Sequence, residues 1–369
     1  MKAILKHDNL ELINVIGAAA LLDKYGKLDD QMQLDNIPIH EKVYMLLDGD
    51  IPQLMVKSLG LGLVELSSVL QKYNPDIVLI VGDRFDVLTP VISGALMNFI
   101  IAHTMGGEVS GTIDESIRHV ITKFAHIHFP ANIDASDRII KLDENPKYVF
   151  NVGCPRMDYI KEMIENFKKN LSVNLKVSKS YSGVGRYIDY KKEKFLLVSH
   201  HPVTTEFGTN HFQIEEILFA LAELEMPTIM LWPNADSGSE EIARAIRSFR
   251  EKHKPNWLYL IKNLPFDIYI ELMFKTLCII GNSSSAVREG AFIGTPSVEV
   301  GSRQFGRLKG NNIIQVKPNK KEIVQAIKTQ LAHGIYKSEN LYGDGQAGKK
   351  IANILSDLNP IDYQKKITY

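Results

Sequence analysis

The sequence predicts an α/β protein built from two doubly wound, mainly parallel sheets. Three observations predict it. Its 369 residues exceed the roughly 100–200 of a single domain, so two domains are the natural division. Near-continuous Val/Ile/Leu runs such as DIVLIV (76–81), FLLV (195–198) and TLCII (276–280) alternate with segments of helical spacing. Strands apolar on both faces are buried on both faces, as parallel strands between crossover helices are. Polar clusters come directly after these runs, at the strand C-termini where open α/β sheets collect their ligands.

Taken in order, LELINVI (10–16) reads as a strand and VYMLL (43–47) as a second. QLMVKSLGLGLVELSSVLQKY (53–73) has the apolar spacing of a helix. DIVLIVG (76–82) is a buried parallel strand. A helix (86–98), FIIAHTM (99–105), a helix from Asp114 to Phe124, HIHFP (126–130), another helix and YVFNVG (148–153) complete one half. The polar, basic segment KVSKSYSGVGRYIDYKKEK (176–194) reads as a domain boundary or an ordered crossover. The rhythm then restarts with FLLVSHHP (195–202), helix 211–224, TIMLWPN (228–234), helix 238–253, WLYLI (257–261), helix 266–274, TLCII, a serine-rich turn and helix, PSVEV (296–300), NIIQV (312–316) and helix 320–332. A strand–helix alternation of this kind makes parallel sheets, because parallel neighbours need crossover connections. The expected division is 1–170, 171–345, and a C-terminal helix and tail (346–369) placed to pack back across the boundary.

Composition narrows the function. The 43 basic and 43 acidic residues cancel, which argues against nucleic acid or an anionic membrane as the main partner. The two cysteines, Cys154 and Cys278, sit at apolar strand ends and read as buried thiols of a reducing compartment. The first residues, MKAILKHDNLEL, lack the apolar run of a signal peptide, and no stretch reads as a membrane span of about 20 apolar residues. The expectation is a soluble, cytoplasmic protein.

The chemistry-bearing residues cluster after the strands. GNSSSAVREG (281–290) comes after TLCII and offers hydroxyls and unpaired backbone N–H groups at a helix start, a setting suited to a phosphate. The same residues can equally be plain helix caps. GDRFD (82–86), HTMGGEVSGTIDESIRH (103–119), SHHPVTTE (199–206), PNADSGSEE (233–241) and GSRQFGR (301–307) occupy equivalent strand ends. Singly, Asp83 reads as a cap, Arg118 as a surface ion-pair partner and His201 as a core histidine. Together they place aspartates, arginines, a histidine pair and a phosphate-type turn at one end of the sheets.

These motifs resemble those of the hydrolysing UDP-N-acetylglucosamine 2-epimerases. That family includes the sialic- and legionaminic-acid pathway epimerases of bacteria and the epimerase half of the bifunctional animal enzyme. The likeness is carried by GDRFD, GGEVSGTIDESIRHVITKFAHIH (106–128), HPVTTE (201–206), GNSSSAVRE (281–289), GSRQFGR and YGDG (342–345), and runs from Leu10 to Gly345. It implies two Rossmann-like domains in a glycosyltransferase-B-type arrangement, with a UDP-sugar in the interdomain cleft. It implies no cofactor and no metal, and a homodimer or homotetramer. Carried over by position, Ser283, Ser284 and Arg303 would hold the diphosphate and Glu289 the ribose hydroxyls. Asp83, Arg84, Asp114, Arg118 and His201 would surround the sugar. The implied reaction eliminates UDP across C1–C2 to give 2-acetamidoglucal, which water converts to N-acetylmannosamine. Asp83 and Asp114 are candidates for the base and hydration roles, in either order. His201 with Arg118 would assist the leaving group.

Two departures from the family stand out. The family begins with a strand and a Gly/Cys-x-Arg-Ala-Asp-Tyr loop, whereas MKAILKHDNLELINVI matches the end of the family's first helix and its second strand. A truncated gene model, a start-site error or a degenerate copy is the expectation. The absent strand is central in a 3-2-1-4-5-6 sheet, so LELINVI and DIVLIVG should either pair directly or leave a groove. The second departure lies in the family's His-x-Glu-Gly-Gly pattern, which here is His103-Thr104-Met105-Gly106-Gly107. Met105 cannot transfer a proton, so either the position is dispensable or catalysis is reduced. Two further readings stand beside the first: a relative acting on UDP-2,4-diacetamido sugars, and a UDP-sugar binder with impaired turnover. A glycosyltransferase on the same fold is disfavoured by GGEVSGTIDESIRH.

Overall fold

The computed structural model describes residues 1–22, 32–33, 35–47, 52–109, 113–169, 183–203, 206, 208–233, 238–262, 264–358 and 361–366. Residues 110–112 of the acidic motif, 176–182 of the basic segment, 204–205 of HPVTTE and 234–237 of PNADSGSEE lie outside that set. The chain forms two compact units. It leaves the first at Asp158, within helix Pro155–Lys168, and re-enters it at Gly343.

In the first unit, β1 (Val15–Gly17) pairs in parallel with β2 (Glu41–Val43). A separate parallel sheet has the order β3-β4-β5, from Ile77–Val81, Ile100–Thr104 and Ile127–Phe129. LELINVI and DIVLIVG therefore do not pair directly. Among the described residues β3 is hydrogen-bonded to β4 alone. Side chains span the interval instead, because Val15 and Val78 both pack on the cluster of Val43, Met45, Leu66 and Leu70. The first strand is shorter than the apolar run because Asn14 is bonded elsewhere. Its N–H donates to His40 Nδ1 at 2.9 Å and its amide to the Pro38 carbonyl at 2.9 Å. VYMLL leaves its sheet after Val43, and the Leu47 N–H is taken by Ser58 Oγ at 2.9 Å. YVFNVG contributes one bridge, Val149 to His128, rather than a strand.

Helix Pro52–Tyr73 is long and apolar enough to cross a membrane by length and composition, contrary to the expectation that no stretch is. Only 22% of its most apolar window is buried. Ser58, Gly62, Leu66 and Leu70 recur every fourth residue and form its buried stripe, while Lys57 and Glu65 lie exposed on its other faces. The C-terminal helix Ala347–Asp357 belongs to this first unit. Ile351, Ala352 and Leu355 pack with Ala102, Ile127 and Phe129 of β4 and β5. Asp158 caps its first turn, accepting from the Ala347 and Gly348 N–H groups at 2.9 and 2.7 Å. Further along, Lys365 donates to the Ala125 and Thr122 carbonyls at 2.6 and 3.3 Å, closing the end of helix Ile113–Phe124.

The second unit holds one seven-stranded sheet in the order β12-β11-β10-β7-β8-β9-β6. Its strands are β6 (Val184–Gly185), β7 (Leu196–Ser199), β8 (Thr228–Leu231), β9 (Leu258–Ile261), β10 (Cys278–Gly281), β11 (Ser297–Val300) and β12 (Ile313–Val316). All pairings are parallel except β6, which runs antiparallel on the β9 edge. The basic segment thus ends as an edge strand. Helices Asn210–Leu224, Ser239–His253 and Lys320–His333 bury Ile217, Ile246 and Ile327 against this sheet. Chain order runs outward from β7 toward β9 on one side and from β10 toward β12 on the other. The topological switch point therefore lies between β7 and β10, where a doubly wound sheet opens a crevice for ligand.

Candidate functional site

In the second unit the loops after β7 and β10 meet at that switch point, and Asn282 ties them together. Its Oδ1 accepts from the His201 N–H and its Nδ2 donates to the His201 carbonyl, both at 2.8 Å. Its own carbonyl accepts from Gln304 Nε2 at 2.8 Å and from an Arg303 guanidinium nitrogen at 3.3 Å. One residue, 1% exposed, thus fixes the backbone of His201 and the GSRQFGR loop relative to the serine turn. Gly281 makes the approach possible. Its φ is +134° and a Cβ there would lie 2.2 Å from the Ser199 carbonyl oxygen, so a side chain would drive β10 away from β7.

The serine turn differs from the sequence expectation. No continuous helix runs from the serines through Glu289. Two short helical turns, Ser284–Val287 and Glu289–Ile293, are broken at Arg288, and the dipole of so short a helix is small. Ser283 does cap the first turn, with Ser285 N–H donating to its Oγ at 3.4 Å. Ser284 is half-buried, whereas Ser283 is buried. Glu289 is fully buried, with Arg288 3.6 Å from its carboxylate. His201 Nε2 lies 3.3 Å from Ser199 Oγ. Asn282 thus joins Arg303 and His201 by hydrogen bonds, with Ser283 its chain neighbour.

In the first unit the centre is the Asp83–Arg118 pair at the end of β3. Arg118 is 3% exposed. Its Nε donates to Asp83 Oδ2 at 2.8 Å, a second guanidinium nitrogen reaches the same oxygen, and the third donates to the Glu108 carbonyl at 2.5 Å. A forked guanidinium held in this way fixes its carboxylate in one orientation. Asp114 lies one turn before Arg118 in helix Ile113–Phe124, hence on the same face. Arg84 is more than half exposed and sits 3.7 Å from Asp86. Met105 adopts the left-handed backbone conformation, φ +67°, which few residues other than glycine take. The nearby Gly107 cannot be substituted freely, because a Cβ there would lie 2.1 Å from the Ala135 carbonyl oxygen.

Next to Gly82 and Asp83 lies a buried pair of histidines, which the motifs include but to which no role was assigned. His103 and His128 are register partners on β4 and β5. His103 Nε2 lies 3.2 Å from the Gly82 carbonyl, and burial holds its imidazole down to about 4. His128 Nε2 lies 3.2 Å from Glu144. Burial pushes the Glu144 carboxyl up, but His128, Lys123 and Lys365 outweigh it and hold it down to about 2. In the second unit His200 is 2% exposed with neither ring nitrogen hydrogen-bonded. Burial, then the charges of His201 and Arg303, bring it down to about 3.

These shifts carry a pH dependence. A histidine with a folded value below its ordinary 6.5 stays neutral while the unfolded chain takes up a proton. Stability therefore falls as pH drops from 6.5 toward about 4 for His103 and toward about 3 for His200. Glu144 contributes stability above 4.5 that is lost as pH falls through about 2. Urea midpoints taken from neutral pH downward should decline below 6.5. In His200→Phe the second unit's decline should flatten, each pH unit being worth at most about 1.4 kcal/mol. An unchanged slope would contradict a buried neutral His200.

The sequence-predicted residues therefore fall into two groups, Asp83, Arg84, Asp114 and Arg118 in the first unit, and His201, Ser283, Ser284, Glu289 and Arg303 in the second. Asn282, Ser199 and His103 lie within the motifs read from the sequence without having been assigned a role there.

The family model described as UDP-N-acetylglucosamine 2-epimerase matches residues 2–356. The UDP-N-acetylglucosamine 2-epimerase of Neisseria meningitidis serogroup B is 29% identical over 339 residues, covering 92% of this chain and 85% of that protein. The GDP/UDP-N,N'-diacetylbacillosamine 2-epimerase (hydrolyzing) of Campylobacter jejuni is 31% identical over 316 residues, covering 84% and 78%. The crystal structure of UDP-GlcNAc 2-epimerase from Neisseria meningitidis bound to UDP-GlcNAc superposes with a TM-score of 0.74 at 16% identity, covering 96% of this chain and 95% of that one. That last likeness shows the fold, two α/β units with parallel sheets. With a family model spanning nearly the whole sequence, the chain belongs to the UDP-N-acetylglucosamine 2-epimerase family.

Proposed function

We propose that the chain is a hydrolysing 2-epimerase that converts UDP-GlcNAc and water to N-acetylmannosamine and UDP. The observation that carries this reading is the Asn282-centred assembly of His201, Ser283 and Arg303 at the β7/β10 switch point. It gathers a cation, hydroxyl donors and an imidazole where a doubly wound sheet takes its ligand. In this reading Ser283, Ser284 and Arg303 bind the diphosphate and Glu289 the ribose. Asp83 or Asp114 removes the C2 proton as UDP leaves, and the other directs water onto the glucal. His201 protonates the departing diphosphate, and Arg118 holds Asp83 in place. GGEVSGTIDESIRH and the word "hydrolyzing" in the Campylobacter relative's name support free N-acetylmannosamine as product. That name also supports the variant in which the substrate is a UDP-2,4-diacetamido sugar. Sialic-acid-type sugar biosynthesis in the cytoplasm is the setting that fits this product. Self-association into a dimer or tetramer is supported by helix Pro52–Tyr73, where Val56 and Val64 are 70% and 68% exposed.

A second reading has one specific observation in its favour. Met105 stands at the position of the family's acid, so the chain binds UDP-sugar with impaired turnover. A UDP-release assay with chromatography of the free sugar tests both readings. Met105→Glu is expected to raise turnover by about 10²-fold or more if the impaired reading holds. Equal turnover in the two proteins would show that the position is dispensable. Absence of UDP binding by either protein would overturn both readings.

A further inference from the structure

We propose that Glu206 is a positioning residue of the diphosphate site, holding the Arg303 guanidinium in place through its bond to Ser302. The proposal rests on the diphosphate reading of Arg303, and it adds a second tie to the one that Asn282 supplies. Glu206 closes HPVTTE, a motif whose acidic end has no part in the reaction as read above.

The backbone of Glu206 is fixed at both polar groups. Its N–H donates to the Val203 carbonyl at 3.0 Å. Its carbonyl accepts from Thr209 Oγ1 at 2.9 Å and from the Thr209 N–H at 3.2 Å, at the start of helix Asn210–Leu224. Asn210, wholly buried, donates from Nδ2 to the same carbonyl at 3.4 Å, while its Oδ1 accepts from the Val203 N–H at 2.8 Å. The Glu206 side chain then uses both oxygens. Oε2 accepts from Gln213 Nε2 at 2.6 Å, and Oε1 accepts from the Ser302 hydroxyl. Gln213 is buried in the first turn of that helix. One carboxylate therefore joins the helix that follows β7 to the loop that follows β11.

Ser302 opens the turn that carries Arg303. Its carbonyl accepts from the Phe305 N–H at 2.8 Å, so Arg303 and Gln304 are the central residues of a tight turn. Gly301, with φ +92°, lets the chain lie close to Gln213, because a Cβ there would be 3.1 Å from Gln213 Oε1. The turn is thus held at two points. The Asn282 carbonyl takes Arg303 and Gln304 on one side, and Glu206 takes Ser302 on the other. Two ties fix an orientation that one tie leaves free to swing. Charge is not what the link needs. A serine hydroxyl can accept as well as donate, so an amide at position 206 keeps both bonds, its oxygen toward Gln213 and its nitrogen toward Ser302. A methyl group there keeps neither.

The test is UDP affinity, measured by calorimetry in a double-mutant cycle with Arg303→Ala, and it needs no turnover. Glu206→Ala is expected to weaken UDP binding by about tenfold when Arg303 is present, the Asn282 tie limiting the loss. In the Arg303→Ala background the same change should add less than about twofold, since the group it positions is gone. Glu206→Gln should bring affinity back to within about twofold of the wild type. Ser302→Ala, at an exposed position, cuts the same link from its other end and should match Glu206→Ala, so misfolding of one variant leaves the other decisive. A carboxylate that only stabilised the fold would cost the same factor with and without Arg303. That additive result, or wild-type affinity in Glu206→Ala and Ser302→Ala, overturns the positioning role while the diphosphate reading stands. Absence of UDP binding by the wild type, or an Arg303→Ala protein that binds UDP unchanged, overturns the reading and the proposal together.

Discussion

Asn282→Ala is expected to weaken UDP binding by about 10²-fold while leaving the protein folded. The amide makes both side-chain bonds that hold His201, and it does so in a place water does not reach. Removing it leaves the His201 N–H and carbonyl without those partners, at about 1–3 kcal/mol for each buried group. The second unit should therefore lose about 3 kcal/mol in a urea titration. The larger effect is geometric. Without the clamp, His201 and the Arg303 loop no longer share one rigid reference, and a displacement near 1 Å in a positioning network costs about 10²-fold. Calorimetry with UDP gives the affinity and urea denaturation gives the stability. An Asn282→Ala protein that binds UDP as the wild type does would show that the nucleotide site lies elsewhere.

The second large effect is at Asp83. Asp83→Ala should lower turnover by about 10³-fold and destabilise the first unit by about 3 kcal/mol, because it strips a nearly buried guanidinium of its carboxylate. Asp83→Asn separates the two consequences. The amide oxygen still accepts from Arg118, so much of the stability returns, but the amide cannot take a proton. The expected result is a stable protein that binds UDP and fails to turn over. Wild-type turnover by Asp83→Asn would move the base role to Asp114.

How much of this was legible in the sequence depends on where the partners of each feature lie along the chain. The second unit was read almost to its boundaries, because strands such as Cys278–Gly281 are short, continuous apolar runs and the helices between them have clear periodicity. The first unit was read less well. LELINVI reads as a strand, yet only Val15–Gly17 enters a ladder, since Asn14 finds its partners in His40 and Pro38. A side chain far along the chain decided that, and local pattern carries no trace of it. Similarly, the serines promised one helix, whereas the turn breaks at Arg288 and buries Glu289 completely. The Asp83–Arg118 pair was foreseeable as two charged residues at strand and helix ends, but not their forked geometry. Asn282 reads as a turn former, and its true role needs a partner 81 residues away.

The measurement that tests the account most directly is proton NMR of UDP-GlcNAc incubated with the 369-residue chain in deuterium oxide. The account predicts free UDP together with N-acetylmannosamine carrying deuterium at C2, since the base exchanges the C2 proton and water, not UDP, adds to the glucal. UDP-N-acetylmannosamine without free sugar would contradict the hydrolysing mechanism, and an unchanged substrate with no line broadening from UDP would contradict the site itself.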